Sequence, residues 1–112
     1  MRRSIMSQDS IYSDVLPGST KVAPGIRHKK PKMYRVILFN DDYTSMEFVV
    51  NILMSVFNKP EAEASKIMMD VHKKGKGTCG VYTHDIAVTK VRQVHFEARK
   101  VGFPLRCGYE EA

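Results

Sequence analysis

The sequence predicts a single small α+β domain with the element order β-α-α-β-α-β. Three observations lead there. The chain has 112 residues, which is room for one hydrophobic core and little else. Three short runs, at residues 34–39, 78–82 and 105–109, are bounded by turn or cap residues as strands are. Three longer segments, at about 45–57, 60–74 and 84–101, repeat apolar residues at helical spacing. So short a sheet cannot stand alone and needs the helices to complete its core.

Ahead of the first strand, residues 1–33 mix Ser, Gly, Pro and Lys without a sustained period, and Pro17-Gly18, Pro24-Gly25 and Pro31 punctuate them. They read as a mobile extension, and residues 34–112 as the domain. The net charge of +6 invites a nucleic-acid reading until the charges are located. Residues 1–33 carry +5 and the remainder +1, so a near-neutral domain argues against a phosphate-binding face. No apolar run is long enough for a signal core or a membrane span, and a cytoplasmic chain with reduced thiols is expected.

Tyr34 to Phe39 opens the domain as a buried strand, which Asn40-Asp41-Asp42 stops abruptly. Thr44-Ser45-Met46-Glu47 has the spacing of a capping box, with Thr44 and Glu47 satisfying each other's amides at the start of a helix. That helix has apolar residues around most of its girth, including Met46, Val49, Leu53 and Phe57, so it should be largely buried. Pro60 suits the first position of the second helix, with Glu61 and Glu63 at its positive end. Ala64, Ile67 and Val71 form the core stripe of this helix, Met68 lies beside it and His72 at its border. Gly75 ends it as a left-handed cap. After the strand Thr78–Tyr82, Thr83 caps a third helix whose core face is Ala87, Val91, Val94, Ala98 and Val101. Gly102 and Pro104 stop that helix before the last strand.

Most catalytic chemistries find no foothold here. Two adjacent acids at a strand end suggest a Mg²⁺ site, but no later strand ends in an acid. No Gly-x-Ser-x-Gly elbow occurs, and an enzyme is not expected. Cys79 and Cys107 lack Cys-x-x-Cys or His-x-x-x-His spacing and read as buried strand residues, so no metal or other cofactor is expected. The turn Lys73-Lys74-Gly75-Lys76-Gly77 reads first as a solvated helix exit into a strand; it could also clamp phosphates, which with the basic tail gives a second reading as a small RNA-binding domain.

A better use of the polar loop is to hold a free peptide N-terminus. An α-ammonium offers three donors, and Asn40, Asp41 and a neutral His72 offer oxygen and nitrogen acceptors. Met46, Val49, Met68 and Val71 would line a cavity beside them, methionine adapting its shape to varied apolar guests. On composition alone the stronger reading of these residues is the plainer one, with Met46 and Met68 as core, His72 as a satisfied surface histidine, and Asp41 and Asp42 as turn acids.

Several motifs in one register add to this. The run Tyr34–Val50, the pair Val71-His72 before Gly75-Lys76-Gly77, the run Cys79–Thr83, Thr89-Lys90-Val91, Pro104-Leu105 and Cys107 closely resemble the ClpS adaptor family over about residues 31–112. The resemblance implies a three-stranded antiparallel sheet packed against three helices. It implies an N-degron adaptor that binds substrates by a free α-amino group and an N-terminal Leu, Phe, Tyr or Trp. Such adaptors deliver their substrates to a Clp-family AAA+ unfoldase of the ClpA type, whose partner ClpP degrades them. Carried over by position, Asn40, Asp41 and His72 would hold the α-amino group, and Asp42 and Thr44 would support the loop or the peptide backbone. Met46, Val49, Met68, Val71 and Leu105 would line the side-chain pocket, and Asp85 and Lys90 would dock the unfoldase. A monomer without nucleic-acid or membrane partners is implied. Two positions depart from the family pattern: Ser45 stands where Pro is usual and Asp85 where Glu is usual.

Overall fold

A computed structural model describes residues 30–112. The extension expected at residues 1–33 lies almost wholly outside them. The elements are β1 (Met33–Phe39), α1 (Met46–Ser55), α2 (Glu61–Lys74), β2 (Lys76–Thr83), α3 (His84–Lys100) and β3 (Arg106–Glu111), in the order the sequence predicts. The sheet order is β2-β1-β3, with β1 antiparallel to both neighbours.

β1 is central because its middle is apolar on both faces. Val36, Ile37 and Leu38 are all buried. Val36 and Leu38 face the helices, where Leu53, Val71, Val94 and Ala98 join them in one core. All three helices therefore join that core through residues of their apolar stripes.

Four boundaries differ from the sequence reading, each for a local reason. Ser45 rather than Thr44 caps α1, its hydroxyl accepting from the Phe48 amide at 3.1 Å. The capping box fails because the Thr44 amide is already donated to Asp41 Oδ1, at 2.7 Å. α1 ends at Ser55, two residues early, as Asn58 turns left-handed at φ 55° and the Lys59 amide returns to the Leu53 carbonyl at 3.0 Å. Pro60 is the cap of α2 and not its first residue, since its ψ of 156° is extended. Val101 leaves the core face: α3 ends at Lys100 and Val101 is 57% exposed, while the Phe103 amide takes the Ala98 carbonyl.

The glycines of the 73–77 turn have backbone reasons. Gly75 has φ 91°, and a Cβ on Gly77 would stand 2.8 Å from Val71 Cγ2. α2 thus lies hard against the start of β2. Cys79 and Cys107 are both buried, and burial raises both thiol pKa values, that of Cys107 to about 12. They pack as neutral thiols.

Candidate functional site

The site lies where the end of β1, the start of α1 and the last turns of α2 meet. One backbone bond sets their relation: the Asn40 amide donates to the Gly75 carbonyl at 2.9 Å. It fastens the strand end to the helix cap and so brings Asn40 near His72, which lies three residues before Gly75.

Asp41 shapes the loop that follows. Its Oδ1 accepts from the amides of Tyr43 and Thr44 at 2.8 and 2.7 Å, a turn closed by its own side chain. Among the described residues Oδ2 is buried without a partner, as is the Thr44 hydroxyl. Burial works to raise the Asp41 pKa. The Thr44 amide, the Thr44 hydroxyl lying nearby outside hydrogen-bond geometry, the Tyr43 amide and the Arg99 charge outweigh it. The net shift is downward, which keeps the carboxylate charged.

Between these elements opens a cavity of about 210 Å³. Asn40, Asp42, Thr44 and His72 give it polar lining, and Met46, Val49, Met68 and Val71 give it apolar lining. Its apolar parts come from two helices whose stripes meet at an angle. Val49 and Val71 are buried while Met46 is 44% exposed, so the flexible methionine stands at the open side. A cavity this small suits one side chain with the polar groups attached to it.

Eight of the ten residues expected at the site line this one cavity, and two do not. Leu105 is 1% exposed and belongs to the hydrophobic core, one residue before β3 begins at Arg106. Asp41 stands behind the lining, where it organises the loop. Asp85 sits in the first turn of α3 with its side chain fully exposed. Lys90 is occupied within the chain: its ammonium donates to the Val56 carbonyl at 2.7 Å and lies 5.8 Å from the Tyr82 ring centroid.

Two supports escaped the sequence reading. Ser45 takes the cap of α1, and Arg99 braces the turn before β3, donating through Nη1 to the carbonyls of Phe103 and Leu105 at 2.8 and 2.9 Å. Phe103 in turn packs edge-on against Phe48 of α1, with ring centroids 5.0 Å apart. A basic residue in the last turn of a helix was the only signal for Arg99.

Comparison with known proteins finds one family. The family model for the ATP-dependent Clp protease adaptor protein ClpS matches residues 29–108. An ATP-dependent Clp protease adapter protein ClpS from Syntrophus aciditrophicus is 63% identical over 82 residues, covering 73% of this chain and 77% of the relative. Its namesake from Lawsonia intracellularis is 48% identical over 106 residues, 95% of this chain and 97% of the relative. Among solved structures, Agrobacterium tumefaciens ClpS2 bound to L-phenylalaninamide superposes with a TM-score of 0.72. It is 38% identical and covers 74% of this chain and 100% of that one.

Proposed function

The chain belongs to the ClpS family of Clp protease adaptors, which are not enzymes, and we propose that it binds N-degron substrates by their first residue and delivers them to a Clp AAA+ unfoldase. The observation that carries this reading is the pairing, in one small cavity, of a polar part holding Asn40 and His72 with an apolar part made by four side chains. An amino acid with a free amine and an apolar side chain has the same two halves. L-Phenylalaninamide, the ligand of the Agrobacterium protein, is such a molecule.

In this reading the Asn40 carbonyl oxygen and a neutral His72 nitrogen accept from the α-ammonium, and the Asp41 carboxylate behind them supplies negative charge. Asp42 and Thr44 face the peptide backbone. Met46, Val49, Met68 and Val71 surround the first side chain, which is Leu, Phe, Tyr or Trp. The chain performs no chemistry. It acts as a cytoplasmic monomer, and the energy of delivery comes from a ClpA-type ATPase working with ClpP. No helix among the described residues is long and apolar enough to cross a membrane.

The test compares two peptides that differ only at the α-amino group. Acetylation removes the charge and two donors and leaves acceptors unpaired, at about 1–3 kcal/mol for each. Binding of a Leu-first or Phe-first peptide should therefore be lost on acetylation. Equal affinity for both forms would dismiss the assigned site.

A further inference from the structure

A second trough runs along the other flank of α2. One hollow, of about 430 Å³, lies between this helix and β2; a second, of about 310 Å³, extends from Asp70, Lys74 and Lys76 across Arg35 and Ile37 of β1 to Glu110 of β3, and the two share Asp70 and Thr78. None of their lining residues belongs to the cavity described above. The floor is the outer edge of β2 at Thr78, Cys79 and Gly80. β2 is an edge strand: Thr78 and Gly80 pair with Ile37 and Val36 of β1, Cys79 is the extra residue of the register shift between them, and among the described residues no other backbone bond to another element falls on these three. An edge strand beside a helix is a geometry in which an extended peptide can be added as a further strand.

The charges around the trough select the occupant. Three ion pairs account for every acid that lines it: Arg35 with Glu110 at 2.7 Å, Lys59 with Glu63 at 3.5 Å and Lys74 with Asp70 at 3.7 Å. Lys66 and Lys76 remain, without a carboxylate partner among the described residues. The surplus is cationic, and it lies next to unpaired strand edge.

We propose that this trough is a second peptide-binding site, which takes an acidic, extended segment of a partner protein as an added strand on β2. A second copy of the chain fits less well, because pairing β2 with β2 would set the surplus lysines of each copy against those of the other. The chain's own residues 1–29 carry five basic and two acidic side chains and have the wrong sign. A nucleic acid would bring continuous phosphates against three carboxylates, whereas a peptide can place its acids only where lysines stand. The irregular register opposite Val36 and Ile37 confines the added strand to a short segment.

The probe is acetyl-Glu-Val-Glu-Val-Glu-Val-amide, titrated into the isotope-labelled full chain by NMR. Its capped end keeps it from the first site. Amide shifts should centre on Thr78, Cys79 and Gly80, and saturating L-phenylalaninamide should leave its affinity unchanged. The lysine counterpart should bind at least ten-fold more weakly, and N-methylation of alternate peptide bonds should abolish binding. Lys66→Glu with Lys76→Glu, both chosen because they are exposed, should reverse the acidic-over-basic preference without moving the melting temperature. Equal binding of the two peptides, no binding of either at millimolar concentration, or shifts centred on Asn40 and His72 would each overturn the proposal. So would peptide-independent dimerisation through β2, or displacement of the acidic peptide by a short oligouridine.

Discussion

Met46 stands where cavity and solvent meet, and its part is decided by how wide the entrance must be. It lines the cavity as the first residue of α1, 44% exposed, while Val49 one turn on is buried. A first residue branched at Cβ needs width near the entrance, and an unbranched one with bulk further out does not. Met46→Ala should therefore admit Val-first and Ile-first peptides, measured as a fall in the Leu-to-Val affinity ratio. An unchanged ratio would reduce Met46 to packing. Residue types alone left the acceptors and methionines of this cavity open to a plainer reading as turn and core residues, and the motifs shared in one register with the ClpS family drew them together into a site. Residue types were not enough to separate Asp41 from Asp42, because the difference lies in which carboxylate the turn amides capture. Asp41 captures those of Tyr43 and Thr44 and so becomes part of the scaffold.

Between elements, two side-chain contacts tie α3 to its neighbours, one to the end of α1 and one to β3. Lys90 of α3 donates to the carbonyl of Val56, the C-cap of α1, in a partly buried setting. A cation at the negative end of a helix is favourable, and a hydrogen bond with a charged donor contributes about 1.5–3 kcal/mol. Lys90→Met should therefore lower the melting temperature by several degrees. Asp85→Ala should leave it unchanged, because that carboxylate is fully exposed. If both positions dock the unfoldase, both variants should impair delivery and only one should impair stability. Equal melting temperatures would show that the Val56 contact contributes nothing. The second contact is His95, whose Nε2 accepts from the Cys107 amide at 3.0 Å and so ties α3 to β3. Burial first, and the Arg99 charge second, lower its pKa below the ordinary 6.5. The unfolded chain then takes up the proton more readily than the folded one, and stability rises with pH across that interval. The contribution is complete above pH 6.5 and is lost as pH falls through the lowered value. His95→Gln should flatten this acid limb in melting temperature measured from pH 7.5 down to about 5. A limb of unchanged slope would assign the acid sensitivity to other groups.

At the scale of the whole molecule, the order of elements was legible because each helix announces its period and each stop has a Gly, Pro or Asn behind it. The strand ends were less legible. β2 extends to Lys76 and β3 to Glu111 because the partner β1 offers backbone groups there, which composition does not record. The division of the chain raises the last prediction. β1 begins at Met33, and the Ala112 amide donates to the Met33 carbonyl at 2.9 Å, so among the described residues the sheet uses none before position 33. Every residue lining the cavity lies beyond Phe39. Deleting residues 1–25 should accordingly leave the melting temperature and the affinity for a Leu-first peptide unchanged. Those residues nonetheless belong to the segment with most of the net positive charge, and an adaptor must do more than hold its substrate. Degradation of an N-degron substrate by the unfoldase and its protease should slow sharply in the truncated protein. A scrambled segment of equal length and composition should restore much of the rate if reach and charge are what delivery needs. Binding and degradation must be read on the same preparation. Survival of both would leave the segment without a part in delivery, and loss of both would mean that the domain begins earlier than β1.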